Sequence, residues 1–156
     1  MLWPCRFNDI FYVCWNPQEV VSHRFYRLAP RHVDTQPKAL WALLNTSLVW
    51  LCAELFAGSS LGAGVLDING QTIKQIPMVR PERVPVEELM EISSALEGER
   101  LGDLSDHLSA PSLRALDRII FDVLGLTQGE QDGVYEAVAA LVTARLGKAG
   151  SLRKGR

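Results

Sequence analysis

The sequence predicts an α+β fold: a small antiparallel sheet packed on a long buried helix, followed by a helical C-terminal module. Three observations predict it. Residues 40–57 are apolar on most sides, which suits a helix inside a domain rather than on its surface. Short β-branched and aromatic runs flank that helix at residues 11–15, 24–28 and 65–76. From Val86 onward, apolar residues recur every three or four positions, with helix start and stop signals between the runs.

Taken in order, Phe11-Tyr12-Val13-Cys14-Trp15 predicts a strand that Asn16-Pro17 ends in a turn. Residues 24–28 alternate charged and apolar side chains, as a half-exposed strand does, and so offer Arg24 and Arg27 to a partner. Pro30 and Pro37 bracket a linker, and Pro37 suits the first helical position, where its missing N–H costs nothing. Leu40, Leu44, Leu48, Leu51 and Leu55 then form one helical stripe, with Trp41, Val49 and Trp50 off it. Gly58, Gly62 and Gly64 break the helix into a turn. Residues 65–69 and 71–76 predict a strand pair turning at Asn69-Gly70. Pro77 closes it, and residues 78–85, with two more prolines, form a connector.

The rear is helical. One helix starts at Val86 and stops near Gly98, and a poorly patterned helical segment covers residues 101–108. Another helix opens at Pro111 and stops at Gly125. Thr127 and Glu130 have the spacing of a capping box for a last helix, expected to end at Gly147 before a frayed basic tail. The chain divides into an α+β segment over residues 1–84, a helical module over 85–147 and a basic tail over 148–156.

A hydrophobic fraction of 47% argues against global disorder. The net charge of −2 hides a strong asymmetry. Residues 1–40 carry five Lys/Arg against three Asp/Glu, and residues 41–84 carry three against three. Residues 85–146 carry four against twelve, and residues 147–156 four against none. A polyanionic partner would therefore meet the front or the tail, not the acidic helices. Three cysteines and no hydrophobic leader predict a reducing, cytoplasmic setting with free, mostly buried thiols. Asn45, Thr46, Ser47 and Glu54 interrupt the apolar helix, so no membrane partner is expected.

No enzyme is legible. There is no nucleotide-binding glycine spacing, and Gly58, Gly62 and Gly64 follow a helix rather than a strand. Glu54 and Asp67 are isolated carboxylates with structural roles. Ser59 and Ser60 have no His–Asp pair, His107 sits among acidic residues on an expected surface, and Cys and His match no metal spacing. No catalytic residue, metal or cofactor is assigned to this chain.

Three stretches carry a likeness. Ser22-His23-Arg24-Phe25-Tyr26-Arg27 is one, and Ala39-Leu40-Trp41-Ala42-Leu43-Leu44-Asn45-Thr46-Ser47-Leu48 is another. The third is Gly62-Ala63-Gly64-Val65-Leu66-Asp67 with Lys74-Gln75-Ile76-Pro77. They resemble the C-terminal target-recognition segment of adenine-N6 DNA methyltransferases of the TaqI-like and type I or IIG restriction-modification kind. The rear runs around Ala115, Phe121 and Val134 resemble the helical C-terminus of such proteins, so the likeness spans residues 10 to 149. The resemblance implies a DNA-binding specificity segment whose partners are double-stranded DNA and a methyltransferase catalytic domain or chain. That domain holds S-adenosylmethionine in a glycine-rich loop and the target amine in an Asn/Asp-Pro-Pro-Tyr/Phe motif. Asn16-Pro17-Gln18-Glu19 lacks the second proline and the aromatic, so no catalytic role transfers to it. The chain is expected not to methylate alone, as a fragment, a truncated frame or a specificity partner. The alternatives are a protein-interaction module and an inactive gene remnant. Candidate DNA contacts are Arg24, Arg27 and Arg31 for phosphates, and Ser59, Ser60, Asn69, Gln71 and Lys74 for backbone or base edges.

Overall fold

A computed structural model describes residues 1–32, 35–59, 64–100 and 102–154. It is α+β, with short antiparallel strands in two small sheets and seven α-helices among the described residues. Strand β1 (Leu2–Pro4) pairs with β3 (Phe25–Arg27), setting Trp3 opposite Tyr26. Strand β2 (Arg6–Phe7) and strand β4 (Gly58–Ser59) flank β5 (Leu66–Asp67), with Arg6 opposite Asp67.

The expected strand at residues 11–15 does not form. That segment makes one bridge, Cys14 to Leu2, and the backbone of Val13 bonds to side chains instead of a strand. Asn45 accepts from the Val13 N–H at 2.8 Å and donates to the Val13 carbonyl at 3.1 Å, and the Trp41 indole N–H donates to the same carbonyl. A buried amide thus replaces a neighbouring strand, because buried backbone groups must find partners somewhere.

The expected single helix is two helices, α1 (Pro37–Leu44) and α2 (Ser47–Phe56), bent by 58°. Pro37 opens α1 as expected. Thr46 breaks the run: its hydroxyl accepts from the Val49 N–H and caps α2. The bend also changes which residues are buried. Trp41, Val49 and Trp50 are in the core, while Leu55, on the expected buried stripe, is 62% exposed. Neither helix is long and apolar enough to cross a membrane alone, and the same holds for every single helix among the described residues.

Residues 71–76 are helical, not a returning strand. Asn69 Oδ1 accepts from the N–H groups of Gln71 and Thr72 at 2.9 and 3.0 Å, which starts helix α3 (Gly70–Gln75). The Asn69-Gly70 pair therefore acts as a helix cap rather than a hairpin turn, and β5 takes β2 and β4 as its neighbours. The connector holds one 3-10 turn, Pro81–Arg83.

The rear helices are α4 (Val86–Gly98), α5 (Leu104–Ser109), α6 (Pro111–Leu124) and α7 (Gln128–Lys154). Gly125 stops α6 with a left-handed φ of 69°. The Thr127–Glu130 capping box forms in both directions. Gly147 does not end α7, which runs on through the expected frayed tail to Lys154. Helix α1 packs on α4, and α2 packs on α7, so one apolar cluster runs from Trp3 through Trp41 and Trp50 to Phe121 and Val142.

Two buried titratable groups lie under α2. Asp117 on α6 is fully buried and accepts the Ser47 N–H at 2.8 Å, capping α2 from another helix. Burial pushes its carboxyl up to about 6, against the downward pull of its hydrogen bonds to Ser47. His107, expected on the surface, is 5% exposed with its ring 5.5 Å from that of Trp50, and burial lowers its pKa. Cys5, Cys14 and Cys52 are free, as expected, but only half-buried.

Candidate nucleic-acid interface

The two sheets meet at Cys5. Its N–H donates to the Arg24 carbonyl at 3.0 Å, and its carbonyl accepts from the Ile68 N–H at 2.8 Å. This single residue hinges β1–β3 against β2–β5–β4 and leaves a groove between them. The groove has a volume of about 530 Å³ and is lined by Cys5, Arg6, His23, Arg24, Phe25, Tyr26, Asp67, Ile68 and Asn69. Arg24 and Asn69, far apart in sequence, thus share one concave wall.

Arg6 and Asp67 face each other across β2 and β5 as a half-exposed ion pair. Such exposed pairs are weak and exchange readily for another partner. Arg24, exposed, and His23 add further cationic and hydrogen-bonding capacity. Asn69 enters with its amide oxygen already committed to α3, so the free end of its side chain is the donating NH2. The α3 start sits on β3, where a Cβ at Gly70 would lie 3.8 Å from the Tyr26 ring. Gln71 and Lys74 are exposed on this helix, next to the groove in sequence.

The other expected contacts are placed differently. Arg27 lies at the far end of β3 and pairs with Glu19 at 3.2 Å, beside a separate hollow lined by Trp15 and Pro17. Arg31 is exposed in the segment leading to α1 and does not line the groove. Ser59 is in β4, opposite Leu66. Ser60 lies outside the described residues. The structure therefore gathers Arg24 and Asn69, with Gln71 and Lys74 on the adjoining helix.

Sequence reasoning missed Cys5, Arg6 and Arg145. The run from Cys5 to Asn8 carries no strand signal, and its pairing with residues 66–67 is long-range. Arg145, on α7, grips Glu54 and donates to the backbone carbonyls of Gly64 and Asn8, so it anchors the ends of β2 and β5. The structural reading of Glu54 and Asp67 holds, since each carboxylate is paired with an arginine.

The Asn16–Glu19 stretch is a closed turn. Asn16 donates to the Val20 carbonyl at 2.9 Å and accepts from the Val20 N–H at 3.0 Å, and Glu19 has a positive φ of 52°. Both polar ends of Asn16 are used locally, so these residues do not fit a methyl-donor or target-amine site. Among the described residues, no group of three His, Cys, Asp or Glu side chains is arranged to hold a metal ion. Comparison with protein-family models, curated proteins and solved structures finds no match.

Proposed function

We propose that this chain binds double-stranded DNA as the target-recognition segment of an adenine-N6 DNA methyltransferase of restriction-modification systems. The observation that carries the reading is the groove. Two of the stretches that resemble the family's recognition segment contribute Arg24, Phe25, Tyr26 and Asp67 to the same wall. Arginine supplies charge for phosphates, and the Asn69 NH2 supplies a donor for acceptor atoms on base edges or backbone. Gln71 and Lys74 extend that chemistry along α3.

The methyl transfer itself belongs to a catalytic domain that holds S-adenosylmethionine, because the residues here do not fit that group. Tethering to such a domain also suits a reader whose overall net charge is −2. The catalytic partner supplies much of the affinity, and this segment supplies the discrimination. The test is a fluorescence-anisotropy titration of the purified chain with random duplex DNA at low and moderate salt. Binding that weakens steeply with salt is expected. Absence of binding at low salt, or binding indifferent to salt, overturns the reading. Capture of a methyltransferase catalytic domain by the immobilised chain is the companion measurement.

A further inference from the structure

We propose that Arg6 and Asp67 form one composite base-reading element, which recognises adenine by its major-groove edge. The inference rests on the DNA-binding reading above and assigns the groove its reading chemistry. It concerns a base of the recognised sequence other than the methylated one, which the catalytic domain would hold. The first observation is a carboxylate among cations. Asp67 is the one carboxylate among the described residues that line the groove, beside Arg6, His23 and Arg24. A phosphate repels a carboxylate and has no proton to donate to it. The exocyclic amino groups of base edges are donors, so a base edge is where Asp67 finds a partner on DNA.

The second observation is how the pair is made. Arg6 and Asp67 face each other across β2 and β5, and Arg6 Nε donates to Asp67 Oδ1. Among the described residues, Arg6 Nη1 and Nη2 and Asp67 Oδ2 make no further hydrogen bond. On the other flank of β5, Asp67 faces Gly58, which brings no side chain. The Arg6 and Asp67 side chains are 58% and 40% exposed. A guanidinium N–H and a carboxylate oxygen therefore stand side by side at the groove, a donor next to an acceptor. Adenine alone presents the complement of that pair in the major groove, with N7 accepting and the N6 amino group donating. Guanine presents two acceptors there, N7 and O6, which a lone arginine reads but a carboxylate repels. Cytosine offers the N4 donor without an acceptor, and thymine the O4 acceptor without a donor.

The pair also ties β2 to β5, so the test needs a readout that a structural tie does not move. The purified wild-type chain and its Asp67→Ala and Arg6→Ala variants each select from a pool of duplexes with a randomised core. Anisotropy titrations with duplexes that differ at one position then measure the preference there. Both variants are expected to keep their thermal unfolding midpoints within a few degrees of the wild type, since an exposed pair adds little stability. Each tests the pair by itself, so either one decides should the other fail to fold. The wild type should favour adenine at one position by about 5- to 150-fold. Asp67→Ala should turn that position to guanine, the base a lone arginine prefers, and Arg6→Ala should turn it to cytosine, which suits a lone carboxylate. Tighter binding of every duplex by Asp67→Ala, with the adenine preference kept, overturns the proposal and leaves Asp67 as a tie that damps the charge of Arg6. Wild-type binding without a base preference also overturns it, while leaving salt-sensitive DNA binding in the groove standing. Failure of the wild type to bind duplex DNA overturns the groove reading and this proposal together.

Discussion

Arg145 holds Glu54 through two nitrogens, Nη2 at 2.8 Å from Oε1 and Nε at 3.2 Å from Oε2, across 91 positions of sequence. Only 12% of the arginine side chain and 2% of the glutamate side chain are exposed. The pair joins α2 to α7, and the remaining guanidinium donors close on Gly64 and Asn8. Arg145→Met leaves a carboxylate buried without its partner, at a cost of about 3–5 kcal/mol in urea denaturation. Arg145→Lys keeps the charge but not the fork and should fall between the two. A loss below about 1 kcal/mol for Arg145→Met would mean that water reaches the pair in solution.

Asp117 makes stability depend on pH in a defined direction. Its folded pKa of about 6 lies above the ordinary 3.8, so the folded state holds the proton more tightly. Its contribution is complete below about pH 4 and is lost as pH rises through about 6. His107 runs the other way. Burial lowers its pKa below 6.5, so its contribution is present above that value and is lost as pH falls through the folded value. Asp117→Asn keeps an acceptor for the Ser47 N–H and removes the titration. The variant should match the wild type near pH 4 and exceed it near pH 7, by an amount of order 3 kcal/mol. Urea unfolding of both proteins at several pH values measures this, and a difference that does not change with pH contradicts it.

The α+β class and most helix limits were legible because they depend on local signals. Pro37, Gly125 and the Thr127–Glu130 box each act within one turn of the chain. Strand identity was not. The hydrogen bonds of Val13 go to Asn45, 32 positions away, and no local pattern announces that. The Asn69-Gly70 pair suits a hairpin turn and a helix cap equally well, and only the absence of a partner strand decides between them. At the site, Arg24 and Asn69 were legible as residue types. Arg6 and the Cys5 hinge were not, because their meaning comes from pairing with residues 67 and 68.

Two substitutions at Asn69 separate its capping of α3 from the proposed DNA contact. Asn69→Ala removes the α3 cap and should cost about 1 kcal/mol by thermal unfolding. Asn69→Asp keeps an equally good cap but presents a carboxylate to phosphates. It should remain near wild-type stability and bind duplex DNA more weakly at low salt. Wild-type affinity in Asn69→Asp would take this residue out of the interface.

Gly64 and Gly125 share a φ of 69° but not their surroundings. Gly125→Ala adds a methyl group to open space and should cost only the backbone penalty, about 1–2 kcal/mol. Gly64→Ala drives the same group into Ala149 and Leu146, adding about 1–3 kcal/mol. Comparing the two thermal midpoints measures that difference, and equal losses would mean that α7 yields at this point.

Arg24 and Lys74 are exposed and suited to phosphates, whereas Arg27 shares its charge with Glu19. Arg24→Ala and Lys74→Ala should each flatten the salt dependence of DNA binding by about one unit of slope. Glu19→Gln frees Arg27 and should strengthen binding at low salt. No change in any of the three would exclude these side chains from the interface.

The Arg145–Asn8 contact spans 137 positions, almost the whole chain. At a synthesis rate of about 5–20 residues per second, residue 145 follows residue 8 out of the ribosome by roughly 7–27 s. Throughout that interval the Asn8 carbonyl lacks its Arg145 donor, and the Gly64 carbonyl lacks it from its own synthesis onward. A nascent chain can close the Cys5 hinge, and with it the Arg24 groove, once Ile68 has emerged. The Asn8 and Gly64 ends of the sheet gain their shared anchor only when α7 arrives, so the hinge beside the groove can close well before the far end of the sheet is fixed.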